Sequence, residues 1–212
     1  MIAFIAVKGA SYRCPNKNKS LLPYVVEKFK EYLDIVVVTD SDEIASMCKS
    51  MGVKFYMECK EPPHDEFYAI YDCINKNNIQ DEELLIFPAT QPFKNLDTVL
   101  EVANYNMDGI DMVTTYTVVP NRSIFILNED GAFKYDSYHR KGCMCVPLKM
   151  IDGNLYKLTK RSLERIALSN DTNHAIWGES KIAYVENKCQ LFLDVDTPAD
   201  LEIFKNITEH KL

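Results

Sequence analysis

The chain has 212 residues, 47% of them hydrophobic and 26% charged, which is enough apolar material for a single domain with a full core. Its formal net charge of −7 argues against a nucleic-acid partner, for which a basic face is expected, so a small anionic ligand would depend on cations clustered locally. No apolar run approaches the length of a membrane span, and the amino terminus lacks a signal peptide's basic and hydrophobic regions, so a cytoplasmic protein with no membrane partner is expected. Seven cysteines, an odd and scattered set, do not suggest a disulfide framework, and Cys143 with Cys145 lacks the second pair that a zinc site needs. Ile2 to Val7 is an apolar run too short for a helix and reads as a strand buried on both faces.

Gly9 ends that run, and Lys8, Arg13, Lys17 and Lys19 follow in what reads as one loop. Glycine permits a close backbone approach, so main-chain N–H groups and these cations could converge on a polyphosphate; an ordinary solvated loop would carry the same charges. The spacing bears on that choice. KGASYRCPNKN resembles R-G-G-S-K-R-[LI]-P-x-K-N, the signature loop of the sugar-acid cytidylyltransferases, which include the CMP-sialic acid and CMP-Kdo synthetases. Lys8 takes the first arginine's place, and Gly9, Ser11, Arg13, Pro15, Lys17 and Asn18 match; Ala10 and Tyr12 depart from the pattern. The resemblance implies that Lys8, Gly9, Ser11, Arg13 and Asn18 bind the CTP triphosphate, with Arg13 and Lys17 also catalytic. Cys14 stands where family members carry an aliphatic residue, which disfavours a catalytic thiol.

Ser20 to Lys30 reads as an amphipathic helix, Ile35 to Val38 as a second strand, and Thr39 to Glu43 as a helix start closed later by Gly52. Asp40 and Ser41 are explained by capping, and T-D-S-x-E-I-A also resembles the corresponding turn of the same family, which suggests a supporting role. Val53 to Met57 is an edge strand by its length. Cys59 to Glu66 reads as a loop with Lys60, His64 and Asp65 as its polar residues, His64 being an ordinary surface histidine. A helix follows from Phe67 to Asn75.

Glu83-LLIFPATQPFKN is a buried strand running into a proline-punctuated loop, and parallel-sheet enzymes bind ligands beyond such ends. It resembles L-x-Q-P-T-S-P-[LF]-R of the same family. Thr90, Pro92 and Phe93 match, Lys94 replaces the arginine, and Pro88 occupies the place of the ligand-contacting glutamine, for which Gln91 is the nearby substitute. A stiffened turn ahead of a helix from Leu96 to Asn104 would have the same composition. Asp111-MVTTYTV is a further strand. Pro120 to Lys141 alternates apolar and polar residues around Asn128-Glu129-Asp130-Gly131, which reads as a hairpin inserted at about 120–142 and as a homodimer contact. Cys145-VPLKMIDGNLYKL resembles the family's P-x-x-x-x-x-N-G-A-I-Y-I element. On that resemblance Lys94, Asp152, Asn154 and Tyr156 would be sugar-binding, with Asp152 an acid where the family has asparagine.

Leu191-FLDVDTPADLEIF places Asp194 and Asp196 on one side of an expected strand, because side chains alternate with period two. Two carboxylates so held repel unless a cation lies between them, so a divalent metal is the physical inference. Thr197, Pro198 and Asp200 are accounted for as a helix start. D-[IV]-D-T-P-x-D-L-E is carried by most cytidylyltransferases of this group, which implies that Asp194 and Asp196 hold a catalytic magnesium. The expectation is one three-layer α/β/α domain over 1–212, Rossmann-like, with a mostly parallel sheet. The resemblance implies the nucleotide-diphospho-sugar transferase fold, magnesium, and transfer of CMP from CTP to the anomeric hydroxyl of a sialic-acid-like or Kdo-like sugar acid. A catalytically inactive nucleotide-binding or partner-binding paralogue and a metal-dependent glycosyltransferase stand as alternatives.

Overall fold

Alternate residues of the first strand feed two separate cores, and the layering of the protein follows from that split. In β1 (Ile2–Ala6), Ala3 and Ile5 face one helical layer and Phe4 the other; in β2 (Asp34–Thr39), Ile35 and Val37 divide in the same way from Val36 and Val38. A strand that is apolar on both faces must be covered on both, so the sheet lies between helices. Helices α1 (Lys17–Phe29), α2 (Asp42–Met51) and α4 (Leu96–Ala103) pack residues such as Leu22, Val26, Ile44 and Val99 on one face. Helices α3 (Glu66–Lys76), α5 (Lys160–Ala167) and α6 (Thr172–Trp177) pack Phe67, Ile70, Leu163 and Ile176 on the other. The computed structural model describes residues 1–58, 65–119, 148–189 and 191–209. The expected hairpin at about 120–142, the Cys143 and Cys145 pair, and Lys60 and His64 lie outside the described residues.

Among the described residues seven strands form one sheet in the order β3-β2-β1-β4-β6-β5-β7. The strands not yet bounded are β3 (Lys54–Met57), β4 (Glu83–Ile86), β5 (Met112–Val119), β6 (Leu148–Thr159) and β7 (Ile182–Glu186). Every pairing is parallel except those of β6, which runs antiparallel between β4 and β5. The strand order reverses between β1 and β4, which opens a crevice at their carboxyl ends, the usual ligand position in such sheets. β3 lies at an edge, as its length implies.

Side-chain caps start most of the helices. Ser41, Asp65, Asn95, Thr159 and Asp171 each accept from a first-turn amide. Gly52 closes α2 at φ 69, the left-handed conformation expected of it. Helix α7 (Pro198–Glu209) begins as the sequence implies, with Asp200 accepting from the Thr197 amide at 2.8 Å and Thr197 accepting from the Asp200 amide at 3.3 Å. The Thr197 hydroxyl, then the Thr197 and Asp196 amides, donate to the Asp200 carboxyl and hold it below the ordinary carboxylate range.

Two expectations are corrected. Helix α1 begins at Lys17, three residues before the pattern suggests, so Lys17, Asn18 and Lys19 stand on its first turn rather than in the loop. Asn16 precedes it with φ 64 and makes no side-chain cap, so tertiary contact by Lys17, not a capping signal, sets this start. Residues 191–197 also do not form a strand. The expected alternation is present, with Val195 buried and Asp194 exposed, but the Val195 amide donates to Thr90 O in a loop (2.8 Å), beside the small core of Leu21, Phe93 and Phe204.

Candidate active site

The loop after β1 is fixed at three points. The Gly9 amide donates to Asp40 Oδ1 at 2.7 Å, Asn18 Nδ2 donates to Lys8 O at 2.7 Å, and Ser11 Oγ accepts from the Cys14 amide at 3.3 Å. Cys14 is buried, an apolar anchor rather than an accessible thiol; Cys14, Cys48, Cys73 and Cys189 are all unpaired with one another. A side chain at Gly9 would put Cβ 2.5 Å from Ser41 Cβ, so the glycine is required by close approach. Asp40 therefore does more than flank a cap: it ties the end of β2 to this loop. Together with the ends of β1 and β4, the loop encloses a cavity of about 250 Å³ whose walls include Lys8, Ser11, Lys17, Asn18, Thr90 and Glu66.

Lys17 is buried, and its ammonium donates to Val195 O at 2.8 Å and to Asp196 Oδ1 at 3.0 Å. Arg13 Nη2 reaches the same Asp196 oxygen at 3.1 Å, although the Arg13 side chain is 72% exposed. The cations expected to meet phosphate thus meet a carboxylate. Among the described residues Asp194 has no such ion pair; partial burial raises its carboxyl above the ordinary range and Asp196 raises it further, against hydrogen bonds from Thr90 and Gln91. Among the described residues no group of three or more acidic, histidine or cysteine side chains could hold a metal. Two carboxylates nevertheless fit magnesium, which takes one or two protein carboxylates and completes its shell with water and substrate phosphate.

A second cavity of about 360 Å³ adjoins the first, with Glu66, Pro88 and Thr90 in the walls of both. Its remaining walls include Gln91, Asp152, Tyr156, Trp177 and Asp194. Asp152 is saturated with donors: Thr115 Oγ1, Thr117 Oγ1 at 2.6 Å, Asn187 Nδ2 at 2.9 Å and the Asn154 amide at 3.0 Å. It acts here as a clasp joining β6, β5 and the segment after β7. Gly153 has φ 61, and a Cβ there would lie 2.6 Å from Tyr156 Oη. Burial pushes the Tyr156 hydroxyl up to about 12, helped by Glu66, Asp152 and Asp194. Of the four residues expected at a sugar site, Asp152 and Tyr156 line this cavity, whereas Lys94 and Asn154 lie in the core behind it. Lys94 is 1% exposed and donates to Asn154 O at 2.5 Å, and burial lowers its ammonium to about 7. Gln91 donates to Asp152 O at 2.7 Å, while its Oε1 is buried without a partner.

No protein-family model matches the chain, and no curated protein matches it in sequence. Solved structures do match in three dimensions. CMP:2-keto-3-deoxy-manno-octonic acid synthetase complexed with CTP aligns at TM-score 0.70 and 15% identity, over 100% of this chain and 99% of that one. The 4-diphosphocytidyl-2C-methyl-D-erythritol synthase of Anaerococcus prevotii aligns at 0.67 and 16% identity, over 99% and 98%. A cytidylyltransferase of Leptospira borgpetersenii aligns at 0.65 and 17%, over 100% and 87%. The fold is the cytidylyltransferase fold.

Within that fold, Lys8, Ser11, Lys17, Asn18 and Thr90 share the first cavity, and Gln91 and Asp194 stand in the second. Gly9 borders a separate hollow on the outer side of the loop, beside Tyr12. Two wall residues went unread in the sequence. Glu66 is the first residue of α3, and the signal for it was Asp65 followed by an acid and an apolar run, the signature of a helix start. Trp177 ends α6, a helix of six residues with no motif to mark it. Among the described residues no helix is long and apolar enough to cross a membrane.

Proposed function

We propose that the protein is a magnesium-dependent cytidylyltransferase that moves CMP from CTP to the anomeric hydroxyl of a sugar acid and releases pyrophosphate. The observation that carries this reading is the adjacency of two cavities at the strand-order reversal, with Glu66, Pro88 and Thr90 in the walls of both and Lys8 and Lys17 in the first. The resemblance of KGASYRCPNKN and DVDTPADLE to the family's end motifs supports the choice of CTP, as does the neighbour solved with that nucleotide. Asp194 and Asp196 would hold the magnesium, which when bound neutralises phosphate charge. Lys8, Gly9, Ser11, Arg13 and Asn18 bind the triphosphate, with Thr90 and Gln91 beside it. Binding exchanges one anion for another at Arg13 and Lys17, since phosphate takes the place that Asp196 occupies without ligand. The two cations then stabilise charge on the departing pyrophosphate as the acceptor oxygen attacks the α-phosphorus in line. Asp152 and Tyr156 shape the acceptor cavity, backed by Lys94 and Asn154, and a homodimer through about 120–142 is part of the same reading.

A second reading, an inactive nucleotide-binding paralogue, has one observation in its favour: Asp196 is already satisfied by Arg13 and Lys17. Pyrophosphate release with CTP, ATP, GTP or UTP, each against N-acetylneuraminate, Kdo and smaller sugar acids, separates the two. Release with CTP and one acid is expected. Tight CTP binding by calorimetry with no release from any pair would establish the inactive reading.

A further inference from the structure

Glu66 stands at the seam between the two cavities, where an acceptor hydroxyl and an α-phosphate would have to meet. It is the first residue of α3, whose start is fixed by Asp65 Oδ1 accepting from the Tyr68 amide at 2.9 Å, so its backbone position is held by the helix rather than by a pliant loop. The second cavity has three carboxylates in its walls, and they differ in what already occupies them. Asp152 receives four donors. Asp194 receives Thr90 and Gln91 and neighbours Asp196. Among the described residues no donor engages the Glu66 carboxylate.

We infer that Glu66 is the general base, accepting the proton of the acceptor hydroxyl as that oxygen attacks the α-phosphorus. This rests on the nucleotidyl-transfer reading above. The O–H bond breaks with its proton passing to a Glu66 oxygen, the O–P bond forms, and the bond between the α-phosphorus and the bridging oxygen breaks with its electron pair leaving on pyrophosphate. Water takes the proton from Glu66 after product release, which restores the carboxylate.

The surroundings suit that task. Burial raises the Glu66 carboxyl to about 7, Asp65 adds to the rise, and Lys94, from the loop before α4, opposes it. Across the first cavity it faces Lys8 and Lys17; across the second it faces Asp152, Asp194 and the Tyr156 hydroxyl on β6. A base that titrates near the working pH is both available and strong enough to take a hydroxyl proton. Gln91 lines the same cavity, is 6% exposed, and its buried Oε1 has no donor. A turn of this side chain toward a bound hydroxyl would satisfy that acceptor.

The test uses the full chain with CTP, magnesium and whichever of N-acetylneuraminate and Kdo supports pyrophosphate release. The kcat of the wild type should fall on the acid side with an inflection near 7. Glu66→Gln should lose on the order of 100-fold in kcat, lose the acid limb and keep the KM for CTP, the span expected of a general base. Formate should restore part of the activity of Glu66→Ala and leave the wild type unchanged. A Glu66→Gln enzyme with wild-type kcat, or with its acid limb intact, overturns the inference while leaving nucleotidyl transfer standing. A wild type inert with N-acetylneuraminate, Kdo and every smaller sugar acid of the panel above overturns the reading beneath it and the inference together. Carbon-detected NMR of the wild-type carboxyl provides a check free of any variant: titration near 7 supports the assignment, and titration near the ordinary 4.5 overturns it.

Discussion

The two cavities that meet at Glu66 are built in opposite ways. The first draws most of its polar wall from one stretch of chain, Lys8 to Asn18, and carries cations; the second is assembled from α3, the loop after β4, β6, α6 and the segment before α7, and carries acids and aromatics. The difference teaches how each end can change. In the nucleotidyl-transfer reading proposed above, a triphosphate presents the same charge whatever the acceptor, so a contiguous loop with fixed spacing would serve it. The second cavity, made of scattered elements, can be reshaped one residue at a time without disturbing the loop.

That contrast is open to attack, and the strongest blow falls on the carboxylates. Asp194→Asn should reduce turnover by about a thousandfold, the worth of several kcal/mol of charge stabilisation, while its melting temperature in chelator holds or rises. Asp196→Asn should behave differently in the melt. It replaces the carboxylate beside the buried Lys17 ammonium with a neutral amide, so the ion pair is lost although Oδ1 can still accept, at a cost of about 1–3 kcal/mol. Equal melting temperatures for the two variants would erase the distinction drawn between these residues.

Next in size is the phosphate loop. Arg13→Ala should weaken CTP binding by about 1.5–3 kcal/mol in calorimetry, with little change in melting because the side chain is exposed. Unchanged affinity would return the loop to an ordinary solvated one. Gly9→Ala should destabilise by about 1–3 kcal/mol through overpacking against Ser41. Adding Ser41→Gly should recover more of that loss than Ser41→Ala, which removes the 2.8 Å contact with Oγ but keeps the 2.5 Å contact with Cβ.

The smallest effect is expected at the seam. A carboxyl whose folded pKa is raised stabilises the fold at low pH, and that contribution is lost as pH rises through the folded value of about 7. Glu66→Gln should therefore melt a few degrees above wild type at about pH 8, with the gap closing toward 4.5. A constant gap across that range would show that Glu66 titrates normally.

Much of this was legible in the chain itself. The strand–loop–cation order at Ile2 to Lys17, the Gly52 stop and the Thr197 cap are written in residues that act on their near neighbours. What was hidden depends on distant contacts. Lys17 reads as a loop residue until Val195 O is found beside it, and Asp194 and Asp196 read as strand residues because alternation reports exposure but not the hydrogen-bond partner, here Thr90. The direction of β6 is equally silent, since an apolar run pairs either way. Glu66 reads as the end of a loop because the residues beside it, among them Pro88, Thr90 and Tyr156, are distant in the chain.

The bond from Lys17 to Val195 O joins residues 178 positions apart, and it has a temporal side. A ribosome makes Lys17 well before it makes Val195, whose carbonyl positions the Lys17 ammonium. Until then the loop has its cations but not the partner that arranges them.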